Sequence, residues 1–242
     1  MEIEVYERMA AEQEKHWWFR ARREILSFLL KQLEPGDNAR ILEIGCGTGG
    51  NLRMLTTFGD VSAVEKDKNA REFARELTGI NVLEGELPGA LKEFDSKFDL
   101  ICLFDVLEHI DEDIEAMVRV KELLSNEGSI IMTVPAYQWL YGTHDREHHH
   151  FRRYIKSDIA QLSSKAGLEV SKISYFNTLL FPIVVLARMV DKFRDHDRSI
   201  GSAVPMGIIN ELLYQVFRLE KILLKYTVLP YGASIYSVLK KA

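Results

Sequence analysis

Cysteine is scarce in this chain of 242 residues, which contains only Cys46 and Cys102. Each lies in an apolar stretch that predicts a buried strand, so the pair argues against a disulfide framework and favours a reducing compartment. The segment from Met1 to Arg20 carries acidic residues and lacks the apolar stretch and small-residue cleavage site of a secretory signal. We therefore predict a cytoplasmic protein.

Long apolar runs are missing as well. The longest strongly apolar stretch, Thr178–Ala187, contains Pro182 and is about half as long as the ~20 residues of a membrane-spanning helix. No transmembrane segment is predicted.

The chain also lacks an excess of basic residues. The chain has 31 Lys and Arg against 36 Asp and Glu, which gives a formal net charge of -5 at pH 7. Without a global positive field to hold a phosphate backbone, a nucleic-acid partner is disfavoured. The composition, 47% hydrophobic and 28% charged, is that of a globular chain with one sizeable core.

Strand-like and helical segments alternate from residue 39 onward. The strand-like segments are Ala39–Gly45, Val61–Glu65, Asn81–Glu84, Phe98–Asp105, Ser129–Pro135, Glu169–Phe176 and Ser234–Leu239. Helical patterns between them are Asn51–Phe58, Asn69–Leu77, Ile114–Leu124 and Lys156–Ala166. Strands separated by helices form βαβ units, so we predict an α/β fold with a mostly parallel, seven-stranded sheet.

Two further helical regions flank this alternation. Apolar residues recur at helical spacing from Tyr6 to Leu33, which predicts one or two leading helices. Thr178–Phe193 and Met206–Tyr226 predict two helices joined by the linker Arg194–Pro205, and we interpret them as an insertion before the last strand.

A glycine-rich loop follows the first strand, in the run Ile41-Leu42-Glu43-Ile44-Gly45-Cys46-Gly47-Thr48-Gly49-Gly50. Glycines at a strand-to-helix turn let a ligand approach the backbone. The loop fits both a dinucleotide site and an adenosylmethionine site. Glu43 favours the second, because a carboxylate there opposes a pyrophosphate but helps to hold an ammonium group.

Acidic residues also end the next two strands. Glu65 lies about twenty residues after Gly45, where a carboxylate accepts hydrogen bonds from both ribose hydroxyls of an adenosine ligand. Glu86 follows the third strand and is a candidate acceptor for the adenine amino group, although a solvated turn explains it equally well. At the end of the fourth strand, Asp105, Glu108 and His109 are site candidates by position.

These segments together resemble the class I, Rossmann-like S-adenosylmethionine-dependent methyltransferases. Leu42 to Gly49 is similar to the first motif of that family, Val64-Glu65 to the second, and Phe98-Asp99 through Val106-Leu107-Glu108-His109-Ile110 to the fourth. The resemblance implies that S-adenosylmethionine is the cofactor, converted to S-adenosylhomocysteine. The cofactor-binding residues that we expect are Trp18, Glu43, Gly45, Cys46, Gly47, Gly49, Glu65, Lys66, Glu86, Leu87, Asp105 and Val106.

The same resemblance suggests a division of the single domain. Residues 1–34 are expected to form lid helices, 35–177 the cofactor-binding core, 178–230 the helical insertion and 231–242 the last strand. His16-Trp17-Trp18-Phe19-Arg20 is similar to the N-terminal segment of a bacterial and archaeal subgroup of the family. These aromatic residues either cover the cofactor as a lid or pack the helix on the sheet.

Methyl transfer from a sulfonium is an in-line displacement that needs alignment but no metal. A hydroxyl acceptor also needs a base, and His144, His148 and His109 are the catalytic candidates. For the acceptor we expect contacts from Tyr137, Tyr141, His149, Arg152 and Arg153, the two arginines holding a phosphate or carboxylate. Solvated or bracing histidines, or a metal held by His144, His148 and a carboxylate, are alternatives.

The leading hypothesis is an O-methyltransferase acting on a small or lipid-linked acceptor, and the stretch Gly142-Thr143-His144-Asp145 is similar to quinone-biosynthesis O-methyltransferases. An N- or carboxyl-methyltransferase, an NAD-dependent oxidoreductase and a non-catalytic adenosylmethionine-binding protein are the alternatives. The apolar insertion, with basic residues nearby, predicts either peripheral membrane contact or a packed hairpin that serves as core or homodimer interface.

Overall fold

One sheet organises the protein, whose computed structural model describes residues 7, 10–89, 91, 94, 96–193 and 205–242. Its strands are β1 (Ala39–Ile44), β2 (Gly59–Glu65), β3 (Val82–Glu84), β4 (Phe98–Phe104), β5 (Leu124–Pro135), β6 (Leu168–Phe176) and β7 (Ser234–Lys241). Their spatial order is β3-β2-β1-β4-β5-β7-β6. Within this part of the chain β7 alone runs antiparallel to its neighbours, β5 and β6. The predicted mostly parallel, seven-stranded α/β fold is confirmed.

Helices connect and cover these strands. They are α1 (Trp17–Lys31), α2 (Leu52–Leu55), α3 (Lys68–Thr78), α4 (Asp113–Leu123), α5 (Thr143–Glu147), α6 (Lys156–Lys165), α7 (Phe181–Phe193), α8 (Gly207–Arg218) and α9 (Glu220–Tyr226). The ends of α3 show how the sequence sets such boundaries. The Asp67 side chain accepts a hydrogen bond from the Ala70 amide at 2.9 Å, and Gly79 ends the helix with φ 75°.

Alternate side chains of the central strands enter two different core layers. Leu42 of β1 and Ile101 of β4 lie in one layer, which α4 and α6 cover with residues such as Met117 and Ile159. Their sequence neighbours on the same strands enter the other layer, which α1, α8 and α9 cover. Because a strand turns successive side chains to opposite faces, this apolar pattern fixes a three-layer arrangement.

The predicted insertion differs in detail from the structure. Its described residues form three helices between β6 and β7, α7 to α9, where the sequence indicated two. Phe217 and Leu224 of this region are buried in the same core layer as α1. Residues 194–204, which include most of the predicted linker, lie outside the described part of the chain, as do residues 1–6, 8 and 9 of the leading segment.

The N-terminal helix α1 and the insertion helix α8 are joined directly. The Asn210 side chain accepts a hydrogen bond from the Trp17 amide and donates one to the Lys15 carbonyl, both at 2.9 Å. Among the described residues, no helix is long and apolar enough to cross a membrane. The predicted division of the domain at residues 34, 177 and 230 stays a prediction.

Candidate active site

A cavity of about 1100 Å³ lies at the carboxyl edge of the parallel strands, beside the junction of β1 and β4. The chain turns to opposite sides of the sheet at this junction, which is where open α/β sheets bind ligands. Its wall includes ten of the predicted cofactor residues: Trp18, Gly45, Cys46, Gly47, Glu65, Lys66, Glu86, Leu87, Asp105 and Val106. The strand ends therefore bring together residues that are far apart in sequence.

The glycine loop has the backbone shape that its sequence predicts. Gly45 adopts φ 69°, and a Cβ built on it would lie 2.8 Å from a methyl carbon of Val106. Gly47 also has a positive φ, 53°. A side chain at Gly45 would thus be strained in its backbone and crowded by its neighbour. These glycines let the loop turn tightly against β4 at the floor of the cavity.

Glu65 holds this loop in place. One carboxylate oxygen accepts from the Gly47 amide and the other from the Asp67 amide, each at 2.9 Å. Each carboxylate oxygen can accept a further hydrogen bond. Glu65 therefore fixes the turn around the expected ribose position and keeps acceptor capacity for its hydroxyls.

Glu43 and Gly49 are not among the described residues that line the cavity, and their predicted roles in cofactor binding stay predictions. Glu43 is only 1% exposed and accepts from the Asn51 side chain at 2.9 Å. Burial raises the pKa of Glu43 to about 7. Asn51 itself lines the cavity, and sequence reasoning missed it, although it begins the helix after the glycine loop.

A buried ion pair connects α1 to the end of β4. Arg22 contacts the Asp105 carboxylate at 2.7 Å and donates to the Thr133 hydroxyl at 2.8 Å. Thr133 in turn donates to Asp105 at 2.9 Å. Asp105 has φ 58°, an uncommon backbone conformation outside glycine, and this bonding holds it there. Sequence reasoning missed Arg22, because its partner lies 83 positions further along the chain.

Both tryptophans of the leading segment line the cavity. Trp17 also packs edge-on against Phe217, with the ring centroids 5.9 Å apart, and the Arg22 guanidinium lies 5.0 Å from the Trp18 ring. The lid role expected for Trp18 stays a prediction.

Histidine side chains form the opposite wall of the cavity: His109, His144, His148, His149 and His150. The His109 and His150 rings lie 4.6 Å apart and nearly perpendicular, and those of His144 and His148 lie 4.3 Å apart. Burial lowers the pKa of His109 to about 3 and that of His144 well below its ordinary value. These two imidazoles are therefore neutral near pH 7.

Asp145 pairs with His150 and Arg153. One oxygen of the buried carboxylate contacts His150 Nδ1 at 2.9 Å and Arg153 Nε at 2.8 Å, and the other accepts from Arg153 at 3.0 Å. Burial alone would raise the pKa of Asp145, but the hydrogen bonds from His150 and Arg153 lower it below its ordinary value. The ionised carboxylate fixes the orientation of the His150 ring, a role that sequence reasoning did not single out.

The backbone around His150 is also held firmly. The Tyr141 hydroxyl donates to the His150 carbonyl at 2.7 Å, and the Phe151 amide donates to the Glu108 carbonyl at 2.8 Å. His149 adopts φ 56°, so the chain reverses just before His150. These bonds attach the histidine segment to the 3₁₀ turn at Leu107–His109.

Three of the predicted acceptor contacts correspond poorly with this geometry. Tyr137, Tyr141 and Arg152 are not among the described residues that line the cavity. Tyr137 stacks on Tyr175 at 5.1 Å, whereas Arg152 pairs with Asp111 at 2.6 Å and with Asp113 at 2.9 Å.

Arg153 and His149 do line the cavity. The Arg153 charge is already matched by Asp145 through two hydrogen bonds, and its predicted role as an anion holder stays a prediction. His149 is exposed, and its predicted acceptor contact stays a prediction.

Comparisons with known proteins agree with this architecture. The family model described as a methyltransferase domain matches residues 15–173. A solved S-adenosylmethionine-dependent methyltransferase from Clostridium acetobutylicum has a TM-score of 0.58 at 12% identity, covering 91% of this chain and 92% of that chain. That likeness shows the fold.

Sequence relatives cover less of the chain. An uncharacterized methyltransferase of Staphylococcus carnosus is 30% identical over 112 residues, covering 44% of this chain and 52% of that protein. The ubiquinone biosynthesis O-methyltransferase of Dinoroseobacter shibae is 27% identical over 164 residues, covering 58% of this chain and 64% of that protein. The chain spans 52% and 60% of the length of the first two curated relatives that it matches.

Proposed function

Because this chain belongs to the methyltransferase domain family and has the S-adenosylmethionine-dependent methyltransferase fold, we propose that it methylates a hydroxyl of a small or lipid-linked acceptor. One observation carries the proposal: the glycine loop and a wall of histidines border the same cavity of about 1100 Å³. Ligand sites commonly occupy about 300–1,000 Å³, so this volume suits a cofactor together with an acceptor.

The cofactor is expected to lie along the carboxyl ends of β1 and β2. Glu65 is expected to accept from the ribose hydroxyls, and Gly45 and Gly47 to lie against the amino-acid part. Asp105, next to the junction of β1 and β4, is expected to contact the same part. Lys66 and Glu86 form an exposed ion pair at 3.0 Å beside the expected adenine position.

The acceptor is expected on the histidine side. Its hydroxyl oxygen attacks the methyl carbon in line with the sulfur, the carbon–sulfur bond breaks, and the bonding electrons stay on sulfur as S-adenosylhomocysteine. The hydroxyl proton passes to His148. His109 and His144 are weak candidates for this step, because burial lowers the pKa of His109 to about 3 and that of His144 well below its ordinary value, which leaves both imidazoles little basicity. The O-methyltransferase name of the Dinoroseobacter relative supports an oxygen acceptor.

The insertion supports a lipid-linked acceptor. Ile183 of α7 lines the cavity and is also 56% exposed, so it lies at the mouth. Further large apolar side chains of the insertion are exposed, with Ile208 at 88% and Leu212 at 62%. We propose that these residues rest on a membrane surface, from which a lipid-linked acceptor reaches the mouth.

Calorimetric titration with S-adenosylhomocysteine, S-adenosylmethionine and NAD tests the cofactor. We expect ~micromolar affinity for the first two and none for NAD. Glu65→Gln is expected to weaken binding about tenfold or more, because it removes the charge from a bonded acceptor. The matched control is Asp60→Asn, at the exposed start of the same strand. Binding of NAD alone would overturn the proposal.

Radiolabelled S-adenosylmethionine then tests the acceptor atom against panels of phenols, alcohols, amines and carboxylic acids. Label transfer confined to amines or carboxylic acids would contradict the hydroxyl assignment.

Vesicle flotation tests the proposed membrane surface. The fraction of protein that floats with vesicles containing anionic lipid should decrease in the double variant Ile208→Ser and Leu212→Ser. Loss of a homodimer in that variant without any vesicle binding by the parent would instead assign the surface to a second copy.

A further inference from the structure

Three potential metal ligands meet on the histidine side of the cavity. Glu108, His109 and His150 each offer one ligand atom, and these atoms all lie within 4.8 Å of one another. All three residues line the cavity. A hydrogen bond from the Phe151 amide to the Glu108 carbonyl joins the turn at Leu107–His109 to the segment around His150. The two backbone segments that carry the cluster are therefore fixed relative to each other.

Glu108 is the least expected member of the cluster. Its side chain is 0% exposed, and neither carboxylate oxygen has a hydrogen-bond partner among the described residues. A buried carboxyl group is costly unless it meets a cation or a set of hydrogen bonds. This group therefore lacks the partner that a bound cation would supply.

The two histidines each offer one imidazole nitrogen to the cluster. His150 is bonded through Nδ1 to Asp145 at 2.9 Å, which leaves Nε2 as the nitrogen for a further ligand. A carboxylate that orients a histidine from behind is the usual support of a metal-binding imidazole. Asp145 itself is not a ligand candidate, because Arg153, His150 and the Gly142 amide occupy its oxygens.

We propose that Glu108, His109 and His150 bind one divalent transition-metal ion of the zinc type, and that the ion's open coordination position takes the acceptor oxygen. Two imidazoles and one carboxylate form a common ligand set for zinc with a free position. In tetrahedral zinc sites the ligand atoms lie roughly 3.4 Å apart, so the cluster closes by up to about 1.4 Å when the ion binds. This site differs from the His144, His148 and carboxylate set that the sequence suggested.

The role of the ion rests on the proposed function, whereas its binding does not. A bound ion polarises the acceptor hydroxyl and favours loss of its proton. The proton passes to His148, whose ring lies 5.9 Å from that of His150, and the oxygen keeps the electron pair with which it attacks the methyl carbon. The residues that bind the metal are thus different from the residue that accepts the proton.

Metal titration of the tag-free full chain, stripped with a chelator, tests the site without any cofactor. Zinc affinity is measured by competition with a chromophoric chelator, and cobalt is added as a spectroscopic probe of coordination. We expect a single equivalent of zinc and tetrahedral cobalt bands. Glu108→Gln, His109→Gln and His150→Gln should each lower zinc affinity about tenfold or more. His149→Gln, at an exposed neighbouring histidine, should leave it unchanged.

Thermal melts and S-adenosylhomocysteine titrations of every variant accompany these measurements, so that a variant that fails to fold is identified and the remaining two carry the test. Absence of stoichiometric zinc binding by the parent protein, or equal affinity in the three variants and the parent, overturns the metal site. If S-adenosylhomocysteine binds and zinc does not, the metal site alone fails. If zinc binds at these residues and the cofactor does not, the proposed function alone fails.

Discussion

Replacing Arg22 by methionine is expected to destabilise the protein by about 3 kcal/mol. Breaking a buried ion pair costs about 3–5 kcal/mol when both partners are enclosed. The Asp105 side chain is 28% exposed and keeps its bond to Thr133, so the low end of that range applies. For a chain of this length each kcal/mol shifts Tm by about 2–4 °C, which gives a decrease of about 6–12 °C.

A double-mutant cycle separates the ion pair from the packing of the Arg22 side chain. Arg22→Met, Asp105→Asn and the double variant are compared by urea denaturation without cofactor. We expect a coupling energy of about 2 kcal/mol, because replacing two residues in direct contact lowers the free energy of unfolding by less than the sum of the two single replacements. Arg40→Met is the matched control, since Arg40 is exposed and lies 3.7 Å from Asp99, and it should lose less than about 0.5 kcal/mol. A coupling energy near zero would refute the view that this pair attaches α1 to β4.

Three further predictions concern single positions. Gly45→Ala should weaken S-adenosylhomocysteine binding about tenfold or more, because its Cβ would meet Val106 at 2.8 Å in a left-handed backbone. The control Gly79→Ala, with φ 75° and open space around the new Cβ, should lose stability but keep its affinity. Equal affinities of Gly45→Ala and the parent protein in calorimetry would contradict this. Glu43 has a pKa of about 7 in the folded protein against an ordinary 4.5, so its stability contribution is complete below about pH 4.5 and is lost as pH rises through 7, by up to about 3 kcal/mol. Glu43→Gln should remove that decline in urea denaturation between pH 5 and 8, and an unchanged pH profile would exclude burial as its cause. Burial likewise raises the pKa of Glu220 to about 7, so Glu220→Gln should remove a separate part of the decline between pH 5 and 8, and an unchanged decline in that variant would contradict this.

Local patterns in the sequence predicted the sheet and the position of several candidate cofactor-binding residues at its carboxyl edge. The glycine loop, Glu65 and Asp105 each lie at the end of an apolar strand, and parallel strands bring their carboxyl ends to one edge. The position of these residues therefore follows from strand order, which the alternation of strands and helices already indicates.

Side-chain contacts set by the tertiary structure could not be predicted from such local patterns. Asp145 contacts His150 and not its neighbour in sequence, His144, because α5 ends at Glu147 and the backbone reverses at His149, which brings His150 back to Asp145. Arg152, which the sequence analysis predicted to hold an anion, forms ion pairs with Asp111 and Asp113, about forty positions away. Charge type is visible in a sequence, but the partner that neutralises the charge depends on tertiary contacts.

The bond between Asn210 and the N-terminal segment bears on when the protein becomes active during its synthesis. Trp17 leaves the ribosome early, and the residue that fixes it follows 193 positions later. Strands β1 to β5 can pair before α8 exists, yet α1 then lacks its partner beside the cavity. We expect ribosome-bound chains arrested before residue 206 to bind S-adenosylhomocysteine more weakly than full-length chains, and equal binding would show that the N-terminal helix docks unaided. In that order of events β1 to β5 are complete before α8 can reach α1 beside the cavity, and β7 enters the sheet later still.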